Sequence, residues 1–290
     1  MFIDKPTVPT QLEVVLDVVH ALRTKAASAD SIERLLQPKG LPDLTSTSNQ
    51  ASYNLSAARE LKLIAQDGDG NYRLVAPLRE NRLTATQMIL SAFDHTVLSD
   101  VDIEPWFGRL YAFVIARNRV IPTSRSDRED LCSEFHSALP AHIEKINPAN
   151  STKLPHYLRW YCYAGLGWYD PAGSFVPDPT VRLRRSLSRI FESSQRLEAA
   201  EFLAALSRVC PELDTGAMFL EASGTVYRKA DRVCTPALAL ALRNLHSQGE
   251  IQLDCPADSK GWSLEKGGPV NDDATLKSDR FDRVLLRTSR

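Results

Sequence analysis

Nowhere in the 290-residue sequence is there an uninterrupted apolar run of about 18 residues, the minimum for a membrane-spanning helix. The start, MFIDKPTVPTQ, lacks both the positive charge and the apolar core of a secretory signal. Five cysteines, Cys132, Cys162, Cys210, Cys234 and Cys255, stand far apart, with no CxxC pair and no neighbouring histidine pair. That spacing argues against zinc and against a disulfide framework. Excess charge of one sign is also missing: the formal net charge is -1, so any nucleic-acid contact must come from local patches. Together these absences point to a soluble, reducing, cytoplasmic protein with no membrane contact.

Catalytic signatures are missing too. There is no GxxxxGK[ST], no GxGxxG after a strand and no GxSxG. A PD-(D/E)xK nuclease would need acidic residues beside a lysine on adjacent strands to hold a metal and orient water. Asp43 with Glu60 and Lys62 has the spelling, but Glu60 and Lys62 end a helix-like run; Asp258 and Lys260 fall in a turn. His136 and His142, near Glu134 and Glu144, are interrupted by Pro140 and lack HExxH spacing. The chain therefore reads as a non-enzyme with no metal and no cofactor.

What is present is helical periodicity punctuated by short apolar strands. Leu12, Val15, Leu16, Val19 and Leu22 define one amphipathic helix, and a second follows Asp30 and stops at Pro38-Lys39-Gly40. A third, from about Thr47 to Leu61, places Ala51, Leu55, Ala58 and Leu61 on one face. KLIAQ, DGDG and NYRLV then spell a β-hairpin. Three helices and a hairpin is the order of a winged helix. It recurs late: RLEAAEFLAALSRVC, DTGAMFLEA and TPALALALRNLHSQG are followed by EIQLDCP, ADSKG and WSLE. The fold class expected is mainly α with short β-hairpins (α+β), with two or three winged-helix units joined by a helical middle region.

The expected division is residues 1–80, an N-terminal winged helix; 81–150, a helical linker domain in which Ser126 and Glu129 have capping-box spacing; 151–196, an aromatic and arginine-rich segment, the candidate third winged unit; 197–268, a C-terminal winged helix; and 269–290, a basic tail.

In a winged helix the third helix enters the major groove, so its outward face carries the contacts. Burying Ala51, Leu55 and Ala58 turns Asn49, Ser52, Tyr53 and Ser56 outward, with Arg59 adding charge; such groups read base edges or reach phosphates. The competing explanation is a face that is polar only because water wets it. In VRLRRSLSRIFESSQR a single helix would line Arg182, Arg185, Arg189 and Arg196 opposite Leu183, Leu187, Ile190 and Phe191, a ridge able to neutralise several phosphates. The late third helix turns out Ala239, Leu240 and Arg243, a largely apolar face suited to protein docking or, the favoured alternative, to packing against residues 82–150 of the same chain.

The run YLRWYCYAGLGW followed by FVPDPTVRLRRSL is similar to the DpdG family, accessory proteins of bacterial clusters that insert 7-deazaguanine into DNA or defend against phage. The resemblance rests on LGW and VPDPT and brings no catalytic residue onto this sequence. It implies a subunit working on double-stranded DNA beside other proteins of the same system, with a second copy of the chain as a further candidate partner. The alternatives are a winged-helix scaffold or dimerisation subunit of an SMC-like complex and a stand-alone transcriptional regulator.

Overall fold

A computed structural model describes residues 7–22, 27–36, 50–76, 84–98, 104, 106–141, 143, 149–224, 231–264 and 278–287. The chain forms two compact units, one drawn from residues 1–104 with 155–160, the other from 105–154 with 161–290. Among the described residues the fold is mainly α with small strand pairs.

In the first unit, helix α1 (Pro9–Ala21) begins with a proline, where a missing N–H costs nothing. Its Leu12, Val15, Leu16 and Val19 are fully buried, each contributing about 1.5–3 kcal/mol on removal from water. Helix α2 (Ala29–Leu36) buries Ile32. Helix α3 (Gln50–Glu60) runs up to strands β1 (Ile64–Gln66) and β2 (Tyr72–Leu74), which pair antiparallel with Ala65 opposite Arg73. The connecting turn is built by Asp67, whose Oδ1 accepts from the N–H groups of Asp69 and Asn71, and by Gly70 at φ +82°. Between α1 and α2 the chain adds a third line to this hairpin: Ser28 bridges to Asn71, and Tyr72 N–H donates to the Ala27 carbonyl at 2.9 Å. Helix α4 (Ala85–Thr96) opens with a reciprocal capping box of Thr84 and Gln87.

The second unit repeats part of that scheme. Helix α5 (Phe107–Ala116) is followed by Ile121, then α6 (Arg125–Ala138), the ends of α7 (Leu154–Tyr163), whose residues 155–160 count with the first unit, and the antiparallel strands β3 (Gly167–Tyr169) and β4 (Phe175–Pro177). Ile121 exchanges two 2.9 Å backbone hydrogen bonds with Phe175, so one residue between the first and second helices again lengthens the hairpin into a third strand. Gly167 is required there, since a Cβ would lie 2.4 Å from the Val176 carbonyl oxygen and from the Phe175 ring. Inside, Tyr161 stacks obliquely on Phe107 at 4.4 Å, and its hydroxyl donates to the Phe107 carbonyl.

Helix α8 (Thr180–Ile190) leads to strand β5 (Arg196–Glu198), then α9 (Ala199–Val209), α10 (Ala217–Ser223), β6 (Val233–Cys234) and α11 (Pro236–Ser247). Helix α11 is capped by Thr235, whose hydroxyl accepts from Leu238 N–H, with Pro236 in the first turn. After it come β7 (Ile251–Asp254), β8 (Trp262–Leu264), β9 (Arg280–Phe281) and β10 (Arg283–Leu286).

Three expectations are corrected here. EIQLDCP and WSLE do not pair as a hairpin: β7 pairs with β10, while β8 lies between β6 and β9. Residues 283–286, expected within a basic tail, instead supply β10, the central strand of the sheet β5-β10-β7, with Val284 fully buried, while Arg280–Phe281 forms β9 at the edge of β6-β8-β9, with Phe281 fully buried. The cap of α6 is Ser124, which accepts from Asp127 N–H, and not Ser126; the Glu129 carboxylate is taken by Arg125 and Ser151.

Candidate nucleic-acid interface

Helix α3 presents Ser52, Tyr53 and Ser56 half-buried and Arg59 exposed, while Ala51, Asn54, Leu55, Ala57 and Ala58 are buried. The outward stripe is thus the one the apolar spacing predicts, with Asn49 lying outside the described residues. Asn54 is held inward by donating from Nδ2 to Gln11 Oε1 at 2.9 Å. The Ser56 hydroxyl donates to Glu60 at 3.3 Å, so a phosphate contact there would compete with a local hydrogen bond. Two exposed cations of the same unit join Arg59: Lys62, in the turn after α3 at φ +56°, and Arg73, on β2. Arg73 was legible in NYRLV, because alternation sends it to the face opposite Tyr72 and Leu74. Lys62 and Glu60 are separated by a helix end, so the nuclease spelling has no sheet to sit on.

The arginine ridge is the main correction. Arg182 has 0% exposure. Its Nε donates to Glu212 Oε1 at 2.9 Å, one Nη to the Val209 carbonyl at 3.1 Å and the other to the Ser186 hydroxyl. Arg185 is half-buried and donates to the Ala164 carbonyl at 3.1 Å. Arg196 lies on β5, beyond the helix, and pairs with Glu198 at 3.6 Å. Only Arg189 of the four sits exposed on α8. Elsewhere in this unit Arg184 pairs with Glu250, and Arg283 with Glu198 and Asp254. The buried Arg182 fork, satisfied by a carboxylate, a carbonyl and a hydroxyl, is spent as a tie between elements and cannot also face a phosphate, while the pairs of Arg184, Arg196 and Arg283 lie at the surface.

On the late helix the docking reading is corrected for two of its three residues, which pack within the chain. Ala239 is fully buried and Arg243 is 6% exposed, donating to the Leu264 carbonyl and to Asp279 at 3.0 Å or less. Leu240 alone of the three reaches a surface depression.

Close to the start of α11, Asp214 is fully buried and accepts from Thr235 N–H at 2.6 Å and from the Thr235 hydroxyl at 2.7 Å. Burial pushes its carboxyl up to about 6, against the pull of these hydrogen bonds. Burial also raises the Tyr111 phenol well above its ordinary range, with Asp178 and Glu212 adding to the effect. Among the described residues no group of three or more His, Cys, Asp or Glu side chains is placed to hold a metal, and no helix is long and apolar enough to cross a membrane.

The molecule is thus a mainly helical protein with small β-hairpins, whose second unit ties its elements together through buried arginines. A family model described as DpdG-like matches residues 3–259, and the chain belongs to that family. No curated protein and no solved structure matches it. Membership points to involvement in the Dpd modification system in an accessory-type role.

Proposed function

We propose that this chain is a non-catalytic, winged-helix DNA-binding subunit of that modification system, acting beside partner proteins and touching duplex DNA through α3 and the β1–β2 hairpin. The observation that carries the reading is the α3 stripe of Ser52, Tyr53, Ser56 and Arg59, set in a helix, bridge, helix, helix, hairpin order with Lys62 and Arg73 exposed beside it. That order is shared by protein-docking modules, so it supports the reading without carrying it alone. Asp67, Asp69 and Glu60 temper the charge, and binding should be modest and without strong sequence preference.

The test is a gel shift with a duplex oligonucleotide at about 50 and about 200 mM salt. Three phosphate contacts, from Arg59, Lys62 and Arg73, give a log-log slope of about -3. A slope near zero, or no shift at the lower salt, rejects the proposal. A scaffold reading of the second unit is favoured by one specific observation, the internal use of its arginines, and bears on partners more than on DNA.

A further inference from the structure

The solvent face of the small sheet in the second unit is apolar where alternation calls for polar residues. Trp168 lies directly opposite Val176 in the β3–β4 register, so their side chains share a face. The Ile121–Phe175 bridge sends the other face inward, both residues being fully buried. One position along, Val120 and Val176 line the same groove. The resulting row, Val120, Val176, Trp168, has 48% exposure at each end. Leu240 and Pro236 of α11 wall the groove, whose volume of about 100 Å³ suits one aliphatic side chain better than a whole helix. A second, shallower depression shares Asn118, Arg119 and Val120 with the first and is bordered by Asp127, Asp130 and Glu134 on one stripe of α6. Arg119 offsets one of these carboxylates by pairing with Glu134, leaving the bay acidic.

We infer that this continuous surface docks a partner-protein segment in which an aliphatic residue is flanked by lysine or arginine. The aliphatic side chain enters the groove beside Leu240, Trp168 covers it as a large rigid contact, and the basic flank meets Asp127 and Asp130. Nucleic acid fits poorly, because the bay repels phosphates even though Trp168 offers a stacking surface. This inference deepens the accessory-subunit reading by naming the partner's chemistry, and it does not depend on whether α3 binds DNA.

Fluorescence anisotropy of the full chain with a dye-labelled peptide of a central Leu-Val flanked by lysines tests it, beside a Glu-flanked version and one with Ser-Ser at the centre. The lysine peptide should bind about tenfold or more tighter than either control. Val120→Ser and, separately, Trp168→Ser should each weaken it about tenfold at an unchanged melting temperature for Val120→Ser, an exposed position. Asp127→Asn with Asp130→Asn should weaken it severalfold and flatten its salt dependence. Equal binding of all three peptides, or affinity unmoved by the Val120 and the paired aspartate variants, overturns the inference. So does an oligonucleotide that competes at this face, or a self-association abolished by Val120→Ser, since each assigns the surface to another occupant.

Discussion

Replacing Arg182 by alanine removes a fully buried guanidinium from Glu212, which is itself fully buried. The change leaves a carboxylate in the interior without the charge that neutralises it, and it also strips the Val209 carbonyl and the Ser186 hydroxyl of a donor. Breaking one side of such a pair costs about 3–5 kcal/mol. For a unit of this size the cost corresponds to a melting-temperature drop on the order of 10 °C. Arg189→Ala, on the exposed side of the same helix, should change stability by no more than about 0.5 kcal/mol. Thermal melts followed by circular dichroism, with Arg182→Met, Glu212→Leu and the Arg182→Met/Glu212→Leu double variant forming a cycle beside Arg182→Ala, separate pairing from packing: the double variant should recover most of what either single of the cycle loses. An Arg182→Ala protein that melts like wild type but loses duplex affinity would refute the reasoning and return this residue to a DNA-facing ridge.

Asp214 makes stability depend on pH in a defined direction. Its folded pKa of about 6 exceeds the ordinary 3.8, so its contribution is fully present below about pH 4 and is lost as pH rises through about 6, a change of roughly 3 kcal/mol. In melts from pH 4.5 to 7.5, Asp214→Asn should show a shallower decline than wild type; parallel declines would show that the carboxyl titrates normally. Gly167→Ala places a Cβ against the Val176 carbonyl and the Phe175 ring, and should cost about 1–3 kcal/mol and weaken the lysine peptide as the β3–β4 hairpin shifts. A melt and an anisotropy curve identical to wild type would contradict that packing.

How much of this was readable in the sequence depended on the range of the interaction. The spacing of Leu12, Val15, Leu16 and Val19 fixes the buried face of α1, and Thr235-Pro236 marks the start of α11, because both are local rules. The outward stripe of α3 followed from the same rule. The arginine helix failed because a 100° projection places Arg182 beside Leu183 without knowing that Glu212 waits 30 residues later to receive it. The late hairpin failed similarly: β7 had a plausible neighbour in WSLE, and nothing local says that β10 takes the place. The single-residue bridges at Ser28 and Ile121 have no sequence signature, since one residue is too short for alternation. The Val120, Val176, Trp168 row required the register of three separate segments before it became one surface.

The most direct measurement of the central claim is a side-by-side duplex titration by anisotropy of two double variants that add negative charge, Ser56→Asp/Arg59→Glu on α3 and Arg189→Glu/Arg196→Glu on the former ridge. The account predicts that the first pair weakens binding about tenfold or more while the second stays within about twofold of wild type. Undiminished binding by the first pair, with loss in the second, would contradict it.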